Sequence, residues 1–246
     1  VCSSERGLDV TAVNPEAAPE ALRATLAAGI PATVPGEATL DLLNAGLIDD
    51  PFDGDNENKQ QWIGDVDWRF TCRFDWQDDG SDRHDLVAYG LDTIADIALN
   101  GRPVASTRNF HRSYRWDVRG LLRDGANELT VTFTSPVRES DHMEQARGYY
   151  PHTEHHAFNQ IRKPSYSFGW DWGIDVATPA SGARSASTPG PACASHPSAR
   201  SSTSPPTAPE QATKHSGKRS RMHSGSPTGS GTAPEWRSRS RMQKRC

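Results

Sequence analysis

Trp68, Phe70, Cys72, Phe74 and Trp76 alternate with Asp67, Arg69, Thr71, Arg73 and Asp75. A period of two over ten residues places every large apolar side chain on one face of a strand. A second, more apolar strand is predicted over Leu86 to Leu91, and a third over Ile94 to Leu99. Asn100-Gly101 then separates Ile94–Leu99 from Arg102–Ser106. Asn-Gly between two such runs predicts a tight hairpin, because both central turn positions need positive φ. Tyr114, Trp116 and Val118 alternate with charged residues. Gly125-Ala126-Asn127 leads into Leu129, Val131 and Phe133, and Pro136 ends that strand. Two short segments read as helices. Thr39–Ala45 carries Leu40, Leu42 and Leu43 before Gly46, and Ser140–Arg147 opens on a capping-type serine. Neither builds a helical layer, so many short strands with regular turns predict an all-β, antiparallel β-sandwich.

The pattern stops near Thr178. Residues 1–178 hold 16 Lys+Arg against 29 Asp+Glu, a net of −13. Residues 179–246 hold 11 against 2, a net of +9, and contain no Val, Ile, Leu or Phe. Such a stretch cannot bury enough apolar surface to offset the entropy of ordering it. The expected organisation is one sandwich domain over 1–178 and a disordered Ser/Pro/Arg-rich tail over 179–246. The tail's cations are scattered among 15 Ser, 9 Pro and 6 Gly with one aromatic, Trp236. That composition fits a polycation that binds nucleic acid without specificity, not a reader of bases.

No run approaches the roughly 20 apolar residues of a membrane-spanning helix. The first residues, Val1 to Arg6, carry no basic start followed by an apolar stretch. Cys2, Cys72, Cys193 and Cys246 show neither metal-ligand spacing nor a disulfide framework. A cytoplasmic location is the resulting expectation. His152, His155 and His156 invite a zinc reading, but no matching ligand cluster accompanies them. Neither a metal nor any other cofactor is expected. Asn56-Glu57 lies in an acidic loop, where solvation is the default. No catalytic carboxylate pair is specified among the acids.

Residues 149–173 concentrate polar and aromatic groups and end in Gly169-Trp170-Asp171-Trp172-Gly173. An indole face packs on pyranose C–H groups, and a carboxylate accepts hydrogen bonds from neighbouring hydroxyls. Trp170 and Asp171 are therefore candidate sugar-contact residues. From residue types alone, two core tryptophans and a turn aspartate remain the commoner arrangement.

Several strings together resemble the amino-terminal region of β-mannosidases of glycoside hydrolase family 2. They are Val34-Pro35-Gly36, Asp41 through Ile48, Asp50-Pro51-Phe52, Asp55-Asn56-Glu57, Gly90-Leu91-Asp92-Thr93, and Ile161-Arg162-Lys163 through Gly173. The resemblance implies a galactose-binding-like jelly roll that, in the intact protein, packs on its own (β/α)8 catalytic barrel. It implies hydrolysis of terminal non-reducing β-D-mannose residues with retention, using one glutamate as acid/base and another as nucleophile. Both glutamates belong to the barrel, so no catalytic residue is assigned here and the chain as written is expected to be inactive. The substrate-binding role transfers to Trp170 and Asp171, with a β-mannoside as the partner. The alternative is a stand-alone carbohydrate-binding module.

The resemblance would continue beyond Gly173 into a strand containing Ile-Trp-Arg. Permitted GC-rich codons for Thr178–Pro191, read two bases later, give Pro-Gly-Ile-Trp-Arg-Ser-Val-Arg. Residues from about 179 are accordingly expected to be an out-of-frame translation. The sandwich would then lack a closing strand and leave a neighbour with an open edge.

Overall fold

The computed structural model describes residues 7–152, 156–169, 173–181 and 186–189, the last two strands by backbone alone. All of these fall within the compact unit Val1–His196; the second unit, Pro197–Cys246, lies outside the described residues.

The chain opens with β1 (Leu8–Ala12), α1 (Glu20–Ala28), β2 (Ile30–Pro31), β3 (Gly36–Glu37) and α2 (Ala38–Asn44). Two single-turn helices, α3 (Asn56–Lys59) and α4 (Trp62–Asp65), lead into the long strand β4 (Trp68–Trp76). There follow β5 (His84–Ala88), β6 (Leu91–Asp92), β7 (Ile94–Leu99), β8 (Arg102–Arg108), β9 (Tyr114–Asp117) and β10 (Gly125–Phe133). The helix α5 (Pro136–Arg147) and the short strands β11 (Ala180–Ser181) and β12 (Ala186–Pro189) complete the described elements.

One layer is a six-stranded sheet in the order β2-β1-β4-β10-β7-β8. Against it lie two three-stranded sheets, β3-β11-β6 and β12-β5-β9. Every pairing between these described strands is antiparallel. The result is the expected β-sandwich of jelly-roll type. Its core is filled from β4 and β10, where Trp68, Phe70 and Phe133 are buried. The Phe70 and Phe133 rings meet edge to face at 5.8 Å, the geometry their quadrupoles favour. Leu86, Ala88 and Val118 close the core from the opposite layer.

The alternation in β4 is realised with one exception: Trp68, Phe70 and Cys72 are buried and Arg69 and Arg73 exposed, but Thr71, on the polar face, is buried too. The Asn100-Gly101 hairpin is also as read, with φ of 54° and 74°. Three elements differ. The Leu86–Leu91 run breaks at Tyr89-Gly90 into β5 and β6, which join different sheets. The second helix starts at Pro136, not Ser140. Ser135 caps it by accepting the Arg138 amide at 3.0 Å and donates its hydroxyl to the Gly64 carbonyl at 2.6 Å. Pro136 at the first helical position loses no hydrogen bond. Finally, Cys72 is disulfide-bonded, where the cysteine spacing predicts no disulfide framework. The other three cysteines lie outside the described residues.

Strand pairing also reaches past the compositional break. β11 sits between β3 and β6, and β12 covers one side of β5 from Ala186↔Val87 to Pro189↔His84. A ladder is built from backbone groups, so a segment without large apolar residues can still cover an edge. Among the described residues no helix is long and apolar enough to cross a membrane.

Candidate functional site

The sheet β3-β11-β6 places Glu37 and Asp92 on either side of Ala180, the backbone partner of both. Between them arrives Lys163. Its Nζ lies 2.6 Å from Asp92 Oδ2 and donates to the Thr178 carbonyl at 2.8 Å. The lysine side chain is 0% exposed and that of Asp92 7%. The Thr93 hydroxyl donates to the other Asp92 oxygen. Burial pushes the Lys163 ammonium below its usual range, against the opposing pull of Asp92 and Glu37. Burial raises the Glu37 carboxyl; Lys163 opposes that rise and Asp92 adds to it.

This pair fastens both ends of the segment that carries the sugar-contact candidates. Trp170 and Asp171 themselves lie outside the described residues, as does Trp172. What is described is how their neighbours are held. On the leading side, Phe110 donates its amide to the Arg162 carbonyl at 3.1 Å, and Phe168 is fully buried beside Val137 and Ala177. Gly169 has φ of +95°, and a Cβ there would come within 2.9 Å of Asp175 Cβ, so no other residue fits without strain. On the trailing side, Glu57 Oε2 accepts the Asp175 amide at 3.1 Å, and Gln61 donates to the Asp175 carbonyl. Glu57 is therefore structural, not the solvated loop acid the sequence suggests. The Lys163–Thr178 contact closes the far end.

A cavity of about 260 Å³ opens beside this segment, with Glu37, Thr39, Phe52, Asp92, Tyr166 and Val176 among its lining. Two larger hollows, each about 510 Å³, lie elsewhere. One crosses the outward face of the six-stranded sheet and the other surrounds Asn100 and Asn127; neither is lined by residues 161–178.

Two of the three histidines singled out in the sequence are described. His152 Nε2 lies 3.3 Å from Glu144 Oε1 and its ring packs against Tyr149 and Phe158, whereas His156 packs on Phe168. His155 lies outside the described residues. Among the described residues no group of three or more His, Cys, Asp or Glu could hold a metal ion.

Behind the cavity, Asp41 on α2 is buried. Its Oδ1 accepts the Thr33 amide at 3.0 Å, and its Oδ2 has no hydrogen-bond partner among the described residues. Burial pushes its carboxyl up to about 7 from an ordinary 3.8; the Thr33 bond opposes the shift and Glu37 reinforces it. The folded state thus holds a proton that the unfolded chain releases near pH 4. The stability this contributes is full below that pH and is lost as pH rises through about 7. Asp41→Asn keeps the acceptor for Thr33 and removes the titration. Between pH 5 and 8 the unmodified chain is expected to lose about 2–4 kcal/mol relative to this variant. Urea unfolding of both proteins across that range measures it; parallel curves would refute it.

The family described as "Glycosyl hydrolase 2 galactose-binding domain-like" matches residues 16–182. A probable β-mannosidase of Caenorhabditis elegans is 34% identical over 160 residues, covering 59% of this chain and 18% of the relative. β-Mannosidase A of Emericella nidulans is 35% identical over 159 residues, covering 58% and 16%. The crystal structure of a β-D-mannosidase from Dictyoglomus thermophilum superposes with a TM-score of 0.64 at 32% identity, covering 74% of this chain and 22% of that one. The matched part is thus less than a fifth of these curated relatives' length.

Proposed function

The chain belongs to the glycosyl hydrolase 2 galactose-binding domain-like family, and from that premise we propose that it supplies one wall of a β-mannoside pocket. Trp170 offers an indole face to the sugar ring, and Asp171 accepts hydrogen bonds from its hydroxyls. The observation that supports this most is the way the quoted strings converge. Glu57, Asp92 and Lys163, distant in sequence, hold the two ends of the segment bearing these residues. A buried fastening at Lys163 and a half-buried one at Glu57 amount to preorganisation, which lowers the ordering cost of binding.

Retaining hydrolysis needs two carboxylates about 5–5.5 Å apart flanking the scissile bond. In this reading both are glutamates of a catalytic barrel in the intact protein, on which the sandwich packs. Terminal non-reducing β-D-mannose residues are the substrate. The 246 residues alone are expected to turn over no p-nitrophenyl β-D-mannoside above a no-protein control. They are expected to retain weak affinity for methyl β-D-mannopyranoside, in the millimolar range, since one wall gives only part of the contact energy. Asp171→Ala should abolish the methyl mannoside shifts in NMR titrations. Turnover by the unmodified chain, or full binding by the variant, would overturn the proposal.

A further inference from the structure

We propose that Asn100-Gly101 is a spontaneous deamidation site that the folded chain holds closed and unfolding opens, so that the modified residue records an earlier unfolding and hinders the return. Of the eight asparagines in the sequence, Asn100 alone precedes a glycine. A glycine carries no side chain to screen its nitrogen, which can then attack the asparagine carboxamide carbon. The bond from Gly101 N to Asn100 Cγ forms and the Cγ–Nδ2 bond breaks. The amino group leaves as ammonia with the proton that Gly101 gives up. Water then opens the resulting succinimide ring. Opening at Cγ leaves an aspartate; opening at the main-chain carbonyl leaves an isoaspartate, with the backbone routed through the side chain.

Burial does not protect this turn. Gly101 is exposed, and a Cβ added there would meet nothing within 4 Å, so water reaches it. What holds the site closed is the way the Asn100 side chain is tied down. Its Nδ2 donates to the Leu121 carbonyl and to Asn127 Oδ1, each at 2.8 Å, and its Oδ1 accepts the Glu128 amide at 3.0 Å. The Asn100 main-chain amide in turn donates to the Glu128 carbonyl at 2.8 Å. Attack needs the carboxamide to swing toward Gly101, which breaks the three side-chain bonds together. Three hydrogen bonds of ordinary strength slow such a step by at least about tenfold.

The same ties make the product a poor fit. A carboxylate in this place has no proton to give Leu121 or Asn127, and its charge faces both of their oxygens. Asn127 cannot turn its amide round to help. Its Nδ2 already donates to the Arg123 and Gly125 carbonyls at 2.7 and 2.8 Å, and its Oδ1 also accepts the Arg123 amide at 3.0 Å. Asn127 is 3% exposed, so the mismatch is poorly relieved by water. The isoaspartate product adds a methylene to the main chain of a two-residue turn, whose length sets the register of β7 on β8.

The full chain is incubated at mildly alkaline pH, folded in buffer and unfolded in urea, and then digested with trypsin. The peptide His84–Arg108 holds no other Asn and no Gln, so its amide-to-acid mass change reports Asn100 alone. The folded chain is expected to convert at least about tenfold more slowly than the unfolded one. In low urea its rate should rise in step with hydrogen exchange at the Glu128 amide, which is released by the same opening. Asn127→Ala removes one of the three ties and should speed conversion of the folded chain while leaving the unfolded rate unchanged. If circular dichroism shows that variant to be unfolded, the comparison with Glu128 exchange in the parent decides. Asn100→Asp should refold with a lower midpoint of thermal unfolding than the parent. Equal rates in the folded and unfolded parent, conversion that ignores Glu128 exchange, a folded Asn127→Ala no faster than the parent, or a midpoint for Asn100→Asp equal to the parent's would overturn the proposal.

Discussion

Lys163→Met is expected to destabilise the sandwich by about 3–5 kcal/mol, as is Asp92→Leu, because either change leaves an uncompensated polar group in a buried site. Lys163 touches Asp92, 71 residues earlier in sequence, and the carbonyl of Thr178, 15 residues later. Removing the ammonium frees one carboxylate and one carbonyl together. Removing the carboxylate instead strands a 0%-exposed ammonium. The double variant carries neither charge. It is expected to be more stable than either single variant, since an apolar pair of similar volume can replace a buried ion pair at little cost. Chemical denaturation of the four proteins closes the cycle. Single variants within about 1 kcal/mol of the parent would show that the pair does not hold the segment's ends.

Trp68→Ala should cost a similar amount, about 3–5 kcal/mol, by a different route. Trp68 begins β4, is fully buried, and pairs across the ladder with Phe133. Its indole donates to the Ile63 carbonyl at 3.0 Å and lies 6.3 Å from the Trp62 ring. Truncation leaves a cavity between α4 and the sheet and an unpaired carbonyl. For a domain of this size the midpoint of thermal unfolding should fall by roughly 10 °C. Calorimetry tests this, and a fall of only about 1–2 °C would mean that the core collapses to fill the gap.

These two residues mark the limits of reading this chain from sequence. Trp68 is legible because period two is a local property, and β4 obeys it at every position but Thr71, which is buried as well. The Asn100-Gly101 turn is legible because few residues accept positive φ twice in succession. α1 carries Leu22 and Leu26 four apart, a helical signal, but in an alanine-rich stretch too weakly patterned to declare itself. The start of α5 was written in Ser135-Pro136, a cap followed by a proline. The buried site is another matter. Nothing local distinguishes Lys163 from a solvated lysine, or Glu57 from the acids around it. Their roles exist only once β6 and the segment ending at Thr178 are neighbours. The resemblance to a family quoted these residues as strings, and the structure supplies the reason they occur together.

The order of the large sheet carries a consequence for synthesis. β4 lies between β1, completed long before it, and β10, which begins about 50 residues after β4 ends. At about 5–20 residues per second, the ribosome takes roughly 3–10 s to supply that second partner. During this interval the strand that carries Trp68, Phe70, Phe74 and Trp76 has one side unpaired, which makes it a natural place for a chaperone to engage.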